Sequence, residues 1–135
     1  MRLSVLLLAL LGLSCADTAS QVQVGAPLIE YRRSGGIRGT DDRLAINNDG
    51  TATLKRGGQD SSITVQSGVM ARLRERMRQV EFGNIRSDTG RGGGDMFEYV
   101  IKYQGHTVRA NDASLPSALH PIIELLDRIL SGGGR

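Results

Sequence analysis

The side chains that could do covalent chemistry are few in this sequence, and their spacing argues against a catalytic centre. A catalytic site needs a nucleophile, a base or metal ligands that converge. The chain has two histidines, His106 and His120, and one cysteine, Cys15. His106 falls beside a hairpin turn and His120 in the first turn of a helical stretch, so each reads as a surface or partly packed residue. No H-E-x-x-H, no cysteine pair and no acidic run of calcium-loop spacing occurs, so the sequence offers no support for a metal or a cofactor. Asp41-Asp42 comes nearest to a pair of carboxylates for acid-base work. Adjacent residues of an extended chain point to opposite sides, however, and the pair reads as solvating the end of a loop. Glycines 35, 36, 39 and 92 to 94 do not open a helix directly after a strand, as a phosphate-cradling loop would, and read as turns. The expectation is a protein that is not an enzyme.

What remains is surface. Ser34-Gly35-Gly36-Ile37-Arg38-Gly39 reads as a mobile connection that carries one apolar side chain among arginines, a composition suited to insertion into a partner's groove. The other reading takes Ile37 as the continuation of a bulged edge strand into the core. The formal charge is +3, and loss of Arg2 with a leader leaves about +2, too little to argue for nucleic acid. Arg72, Arg74, Arg76 and Arg78 alternate along a helical stretch. At about 100° per residue they scatter around the polar arc with Glu75 among them, which describes a solvated helix face.

The elements that must hold this surface follow a leader. Met1-Arg2 and the apolar run 3–13 have the charge and length of a signal peptide and fall short of the ~20 residues that span a bilayer. Leu11-Gly12-Leu13-Ser14-Cys15 resembles a bacterial lipobox, with Cys15 as the lipidated mature N-terminus. Ordinary cleavage after Ala16, with Ser14 and Ala16 as the small pair, is the alternative. Lipidation is preferred because the chain's single cysteine falls at this position. The expected organisation is a signal peptide over 1–15, a tether over 16–26, one α+β domain over 27–131 and a flexible tail over 132–135. The protein is expected to be exported to the cell envelope, lipid-anchored or secreted, and to touch membrane through the anchor at Cys15 alone. Without a disulfide the domain must stand on packing.

Within the domain, residues 28–33 alternate as a first strand that places Ile29 and Tyr31 on one face. A three-residue loop, Asn48-Asp49-Gly50, pairs Leu44 with Leu54 and Ile46 with Ala52, whereas a two-residue turn would mix the faces. A Gly58-Gln59 turn would then set Leu54 against Ile63 and Ala52 against Val65. Residues 68–82 change period, with Val69, Met70, Leu73, Met77 and Val80 on one arc, Ser67 as N-cap and Gly83 as stop. Residues 84–95 read as a flexible loop. A Gln104-Gly105 turn then sets Ile101 against Val108 and Tyr99 against Ala110. Leu119, Ile122, Ile123, Leu126 and Leu130 form a last helical stripe that Pro121 bends or restarts. The order βββ(β)-α-ββ-α predicts an antiparallel sheet of about five to six strands with two helices packed on one face.

Several short runs occur in an order that resembles the emfourin family, small bacterial proteins that inhibit thermolysin-like zinc metallopeptidases. They are Arg33-Ser34-Gly35-Gly36-Ile37, Leu73 with Val80-Glu81-Phe82, Phe97-Glu98-Tyr99, His106-Thr107-Val108, and Pro116-Ser117-Ala118-Leu119-His120-Pro121-Ile122-Ile123 running on to Leu125-Leu126. The family commonly has Phe where this chain has Ile37, and its setting is cytoplasmic. The resemblance implies an inhibitor with a metallopeptidase as its protein partner. Arg33, Ser34, Gly35, Gly36, Ile37 and Arg38 are the expected contact residues. The other expectation is an envelope lipoprotein that serves as a non-catalytic interaction or structural module.

Overall fold

Alternating apolar residues, punctuated by glycine turns, build the sheet. The computed structural model describes residues 25–91 and 93–133. The leader expected over 1–15, its Cys15, most of the 16–26 tether and the last two residues of the tail lie outside the described residues. Four strands come first: β1 (Ile29–Gly35), β2 (Thr40–Ile46), β3 (Thr51–Arg56) and β4 (Gln59–Thr64). Helix α1 (Ser67–Gln79) precedes β5 (Phe97–Tyr103) and β6 (His106–Asn111), and α2 (His120–Arg128) is followed by a π-helical turn (Ile129–Gly133). The six strands form one antiparallel sheet in the order β4-β3-β2-β1-β5-β6, so the fold is α+β.

Ile29, Tyr31, Leu44, Ile46, Leu54, Ile101 and Val108 leave the sheet on one side and are buried. Met70, Leu73 and Met77 of α1 meet them, as do Ile122, Leu126 and the following Ile129 from the α2 end of the chain. Burial of each such side chain contributes about 1.5–3 kcal/mol. Strand parity decides which residues take part: with a period of two, every second residue of each strand is left on the opposite face, which no element among the described residues covers.

The β2–β3 hairpin has the expected register, Leu44 against Leu54 and Ile46 against Ala52, and Gly50 takes the left-handed conformation with φ 88°. The β3–β4 hairpin differs from expectation. Its turn is Gly57-Gly58, which sets Ala52 against Ile63 and Leu54 against Ser61. Both glycines have positive φ, 57° and 79°, and a two-residue turn of that kind suits glycine where glutamine would be strained. The slip is by two residues, so the faces are unchanged.

Helix α1 also differs at both ends. Gln66, not Ser67, is the N-cap, and no side chain caps the helix. The left-handed stop falls on Glu81, with φ 47°, and not on Gly83. The reason is Phe82, which is driven into the core and packs edge-on against Tyr103 and His106, so the chain must reverse one residue ahead of it. Residues 85–90, read as part of a flexible loop, are tied along β6. Asp88 N–H donates to Arg109 O, Arg109 N–H donates to Ser87 Oγ, and Asn111 Nδ2 donates to Thr89 O. This segment covers an edge that would otherwise present unpaired backbone groups.

Candidate functional site

The β1–β2 hairpin runs further than its sequence pattern suggests, because Gly35 still pairs with Thr40 on one side and Phe97 on the other. Its tip therefore begins at Gly36, whose N–H donates to Met96 O at 3.1 Å, and Gly39 N–H closes the turn on Gly36 O at 3.0 Å. Gly35 has φ 106°, and a Cβ there would collide with the Met96 carbonyl oxygen. A Cβ on Gly36 would lie 2.9 Å from Phe97 Cζ. These two glycines let the turn seat itself against the start of β5.

That seating forces Ile37 outward. It is 87% exposed and is the one large apolar side chain left exposed among the described residues. The reading in which Ile37 continues a strand into the core therefore does not hold. Arg38 beside it is exposed as well. Ser34 is half-buried on the uncovered face, between Asp41 and Glu98.

Arg33 points the other way. Its guanidinium reaches Asp42 Oδ2 at 2.8 Å and Asp127 Oδ2 of α2 at 3.1 Å, and lies 5.4 Å from the centre of the Phe97 ring. Burial works against its charge, but the hydrogen bond to Asp42 and the field of Asp127 outweigh this and raise its pKa. Asp127 also accepts from Tyr31 Oη at 2.8 Å, and burial first, then that carboxylate, pushes the phenol above the ordinary tyrosine range. Tyr99 is raised in the same way, by burial and by its hydrogen bond to Asp112. Of the six expected contact residues, then, Ile37 and Arg38 form the exposed tip, Gly35 and Gly36 shape it, and Arg33 props it from within.

Sequence reasoning does not give Asp42, Asp127 or Tyr31 as supports of the tip: Asp42 reads as a loop-end carboxylate, Tyr31 as a residue of the first strand's apolar face, and Asp127 is not singled out. A signal existed for Asp127, which follows Ile123 by four residues and so falls on the apolar arc of the last helix. Asp42 faces Arg33 only once the turn is fixed.

The candidates for covalent chemistry are dispersed. Asp41 and Asp42 do leave β2 on opposite faces, but within the ladder and not at a loop end. Asp41 is exposed and accepts from Arg32 and Arg43, which hold its carboxyl down to about 2, with the Arg43 hydrogen bond the larger cause. His106 donates from Nε2 to Ile85 O at 2.8 Å, and His120 is exposed at the start of α2. Among the described residues no group of three or more His, Cys, Asp or Glu is placed to hold a metal ion, and no helix is long and apolar enough to cross a membrane.

The tip geometry has a direct test. Gly35→Ala is expected to cost about 2–3 kcal/mol in a denaturant titration, since it adds both a positive-φ strain and a backbone collision. Gly39→Ala, with φ 62° and open space around it, is expected to cost about 1 kcal/mol. Equal losses would disprove the seating of Gly35 against Met96.

The class that fold and tip define is an α+β protein with a single sheet and a projecting apolar turn. No family model matches the chain, and no curated protein matches it.

Proposed function

We propose that the protein is an exported inhibitor of a thermolysin-like zinc metallopeptidase. It occludes the enzyme's cleft with the β1–β2 tip, supplies no zinc ligand and is not turned over. The observation that carries this reading is Ile37, 87% exposed on a turn whose backbone is already pinned. Binding through a preordered loop avoids most of the entropy that a free loop loses on docking. An aliphatic side chain entering an apolar pocket from there recovers about 1.5–3 kcal/mol. The order of short runs shared with the emfourin family, beginning with Arg33-Ser34-Gly35-Gly36-Ile37, supports the choice of target. Export rests on the apolar run 3–13, with lipidation at Cys15.

Titrating the protein into a panel of thermolysin-like peptidases tests the proposal. Activity is expected to fall stoichiometrically for at least one enzyme. Full activity across the panel would refute inhibition and leave the reading as a non-catalytic envelope module.

A further inference from the structure

We infer that the uncovered face of the sheet is a second binding surface, shaped for an extended acidic polypeptide segment lying across the strands. The inference does not rest on the inhibitor reading. The antiparallel pairings place Arg109 beside Val100, Val100 beside Arg32, Arg32 beside Arg43 and Arg43 beside Lys55. These residues alternate with the buried Val108, Ile101, Tyr31, Leu44 and Leu54, so all five emerge on the side away from the helices. At ~4.8 Å per strand the row is about 19 Å long. It crosses a trough of about 1120 Å³ that this face forms.

Cations directly opposite one another on neighbouring strands are destabilising. Arg32, Arg43 and Lys55 nevertheless occupy three adjacent strands. Asp41 relieves the first two by accepting from both. Lys55 and Arg109, both exposed, form no ion pair among the described residues. The row therefore has a partner at its centre, ends at Lys55 opposite Asp60 of β4 without an ion pair to it, and leaves open positive charge at Arg109, which an added anion would satisfy.

The occupant follows from spacing and from what the face lacks. In an extended chain, side chains on one side recur every ~6.8 Å, so acidic residues at alternate positions of about seven residues span the row. Val100, inside the row, gives apolar contact between the charges. Stacking of nucleic-acid bases needs aromatic rings. The rings of Tyr31, Phe82, Phe97, Tyr99 and Tyr103 are all committed elsewhere: Tyr31 and Phe82 are buried, Tyr99 and Tyr103 pack against the core, and Phe97 lies beside Arg33. A flat anionic lipid surface would meet the rim of a trough before its floor.

The test uses the full chain and a fluorescein-labelled seven-residue peptide alternating glutamate and valine, with glutamate at both ends, read by fluorescence anisotropy. Saturable binding is expected, weakened by added salt. Lys55→Glu with Arg109→Glu is expected to weaken it roughly tenfold, since each reversal turns an attractive surface pair into a repulsive one. Lys55→Gln with Arg109→Gln, which leaves less repulsion to disturb folding, is expected to weaken it severalfold. Undiminished binding by either double variant would overturn the inference. So would tighter binding of an oligothymidylate or of phosphatidylglycerol vesicles, each of which would assign the face to a different polyanion. Inhibition of a peptidase by the Glu double variant is expected to persist, which separates this surface from the tip.

Discussion

Ile37→Asp is expected to weaken inhibition about a hundredfold while leaving the thermal unfolding curve where it was. The two halves of that outcome have separate causes. At 87% exposure the Ile37 side chain makes almost no contribution to folding, and surface substitutions of this kind fall within about 0.5 kcal/mol. In the proposed complex the same side chain would be a central anchor, and truncation of such anchors costs about 2–4 kcal/mol. Aspartate adds the cost of carrying a carboxylate into an apolar pocket, and about 2.7 kcal/mol is a factor of a hundred. A titration of peptidase activity against the wild type and the variant, with unfolding measured on the same preparations, gives the answer. Equal potency of the two would move the contact away from the β1–β2 tip altogether. Replacing the whole run from Ser34 to Ile37 is a poorer experiment, because Ser34 and Gly35 belong to the ladder with β2 and β5.

The contrast between Ile37 and Arg33 shows what the sequence could and could not convey. Parity rules settled the β2–β3 and β5–β6 registers, because a slip by one residue would have put Leu44 or Ile101 in water. The same rules are blind to a slip by two, so they do not separate the expected Gly58-Gln59 turn from the observed Gly57-Gly58, which the positive φ of both glycines favours. Local pattern marked residues 34–39 as the distinctive surface, but not how firmly they are held. That depends on the Met96 carbonyl and the Phe97 ring, which are distant in sequence and reach the tip only because β5 pairs with β1. Arg33 and Arg38 look alike in the sequence, and one is a prop while the other is exposed. Only the partners Asp42 and Asp127, brought in by β2 and α2, distinguish them.

Removing that prop is expected to give the largest stability loss of any single substitution considered. Arg33→Met keeps the length and apolar stem of the side chain but strands the carboxylate of Asp42, at 5% side-chain exposure, and takes the cation from Asp127, which is 30% exposed and keeps its hydrogen bond from Tyr31. Breaking a buried pair from one side costs about 3–5 kcal/mol, and the water reaching Asp127 argues for the lower end. For a domain of this size that is a drop in melting temperature on the order of 15 °C. Asp42→Asn in the Arg33→Met background is expected to restore much of the loss, since it removes the charge whose partner is missing. A deficit under about 1 kcal/mol, with no recovery from Asp42→Asn, would mean that Arg33 is a solvated surface charge. Because Arg33 also lies against Phe97, whose ring occupies the space a Gly36 side chain would take, the same variant is expected to loosen the tip and weaken inhibition without any change at Ile37.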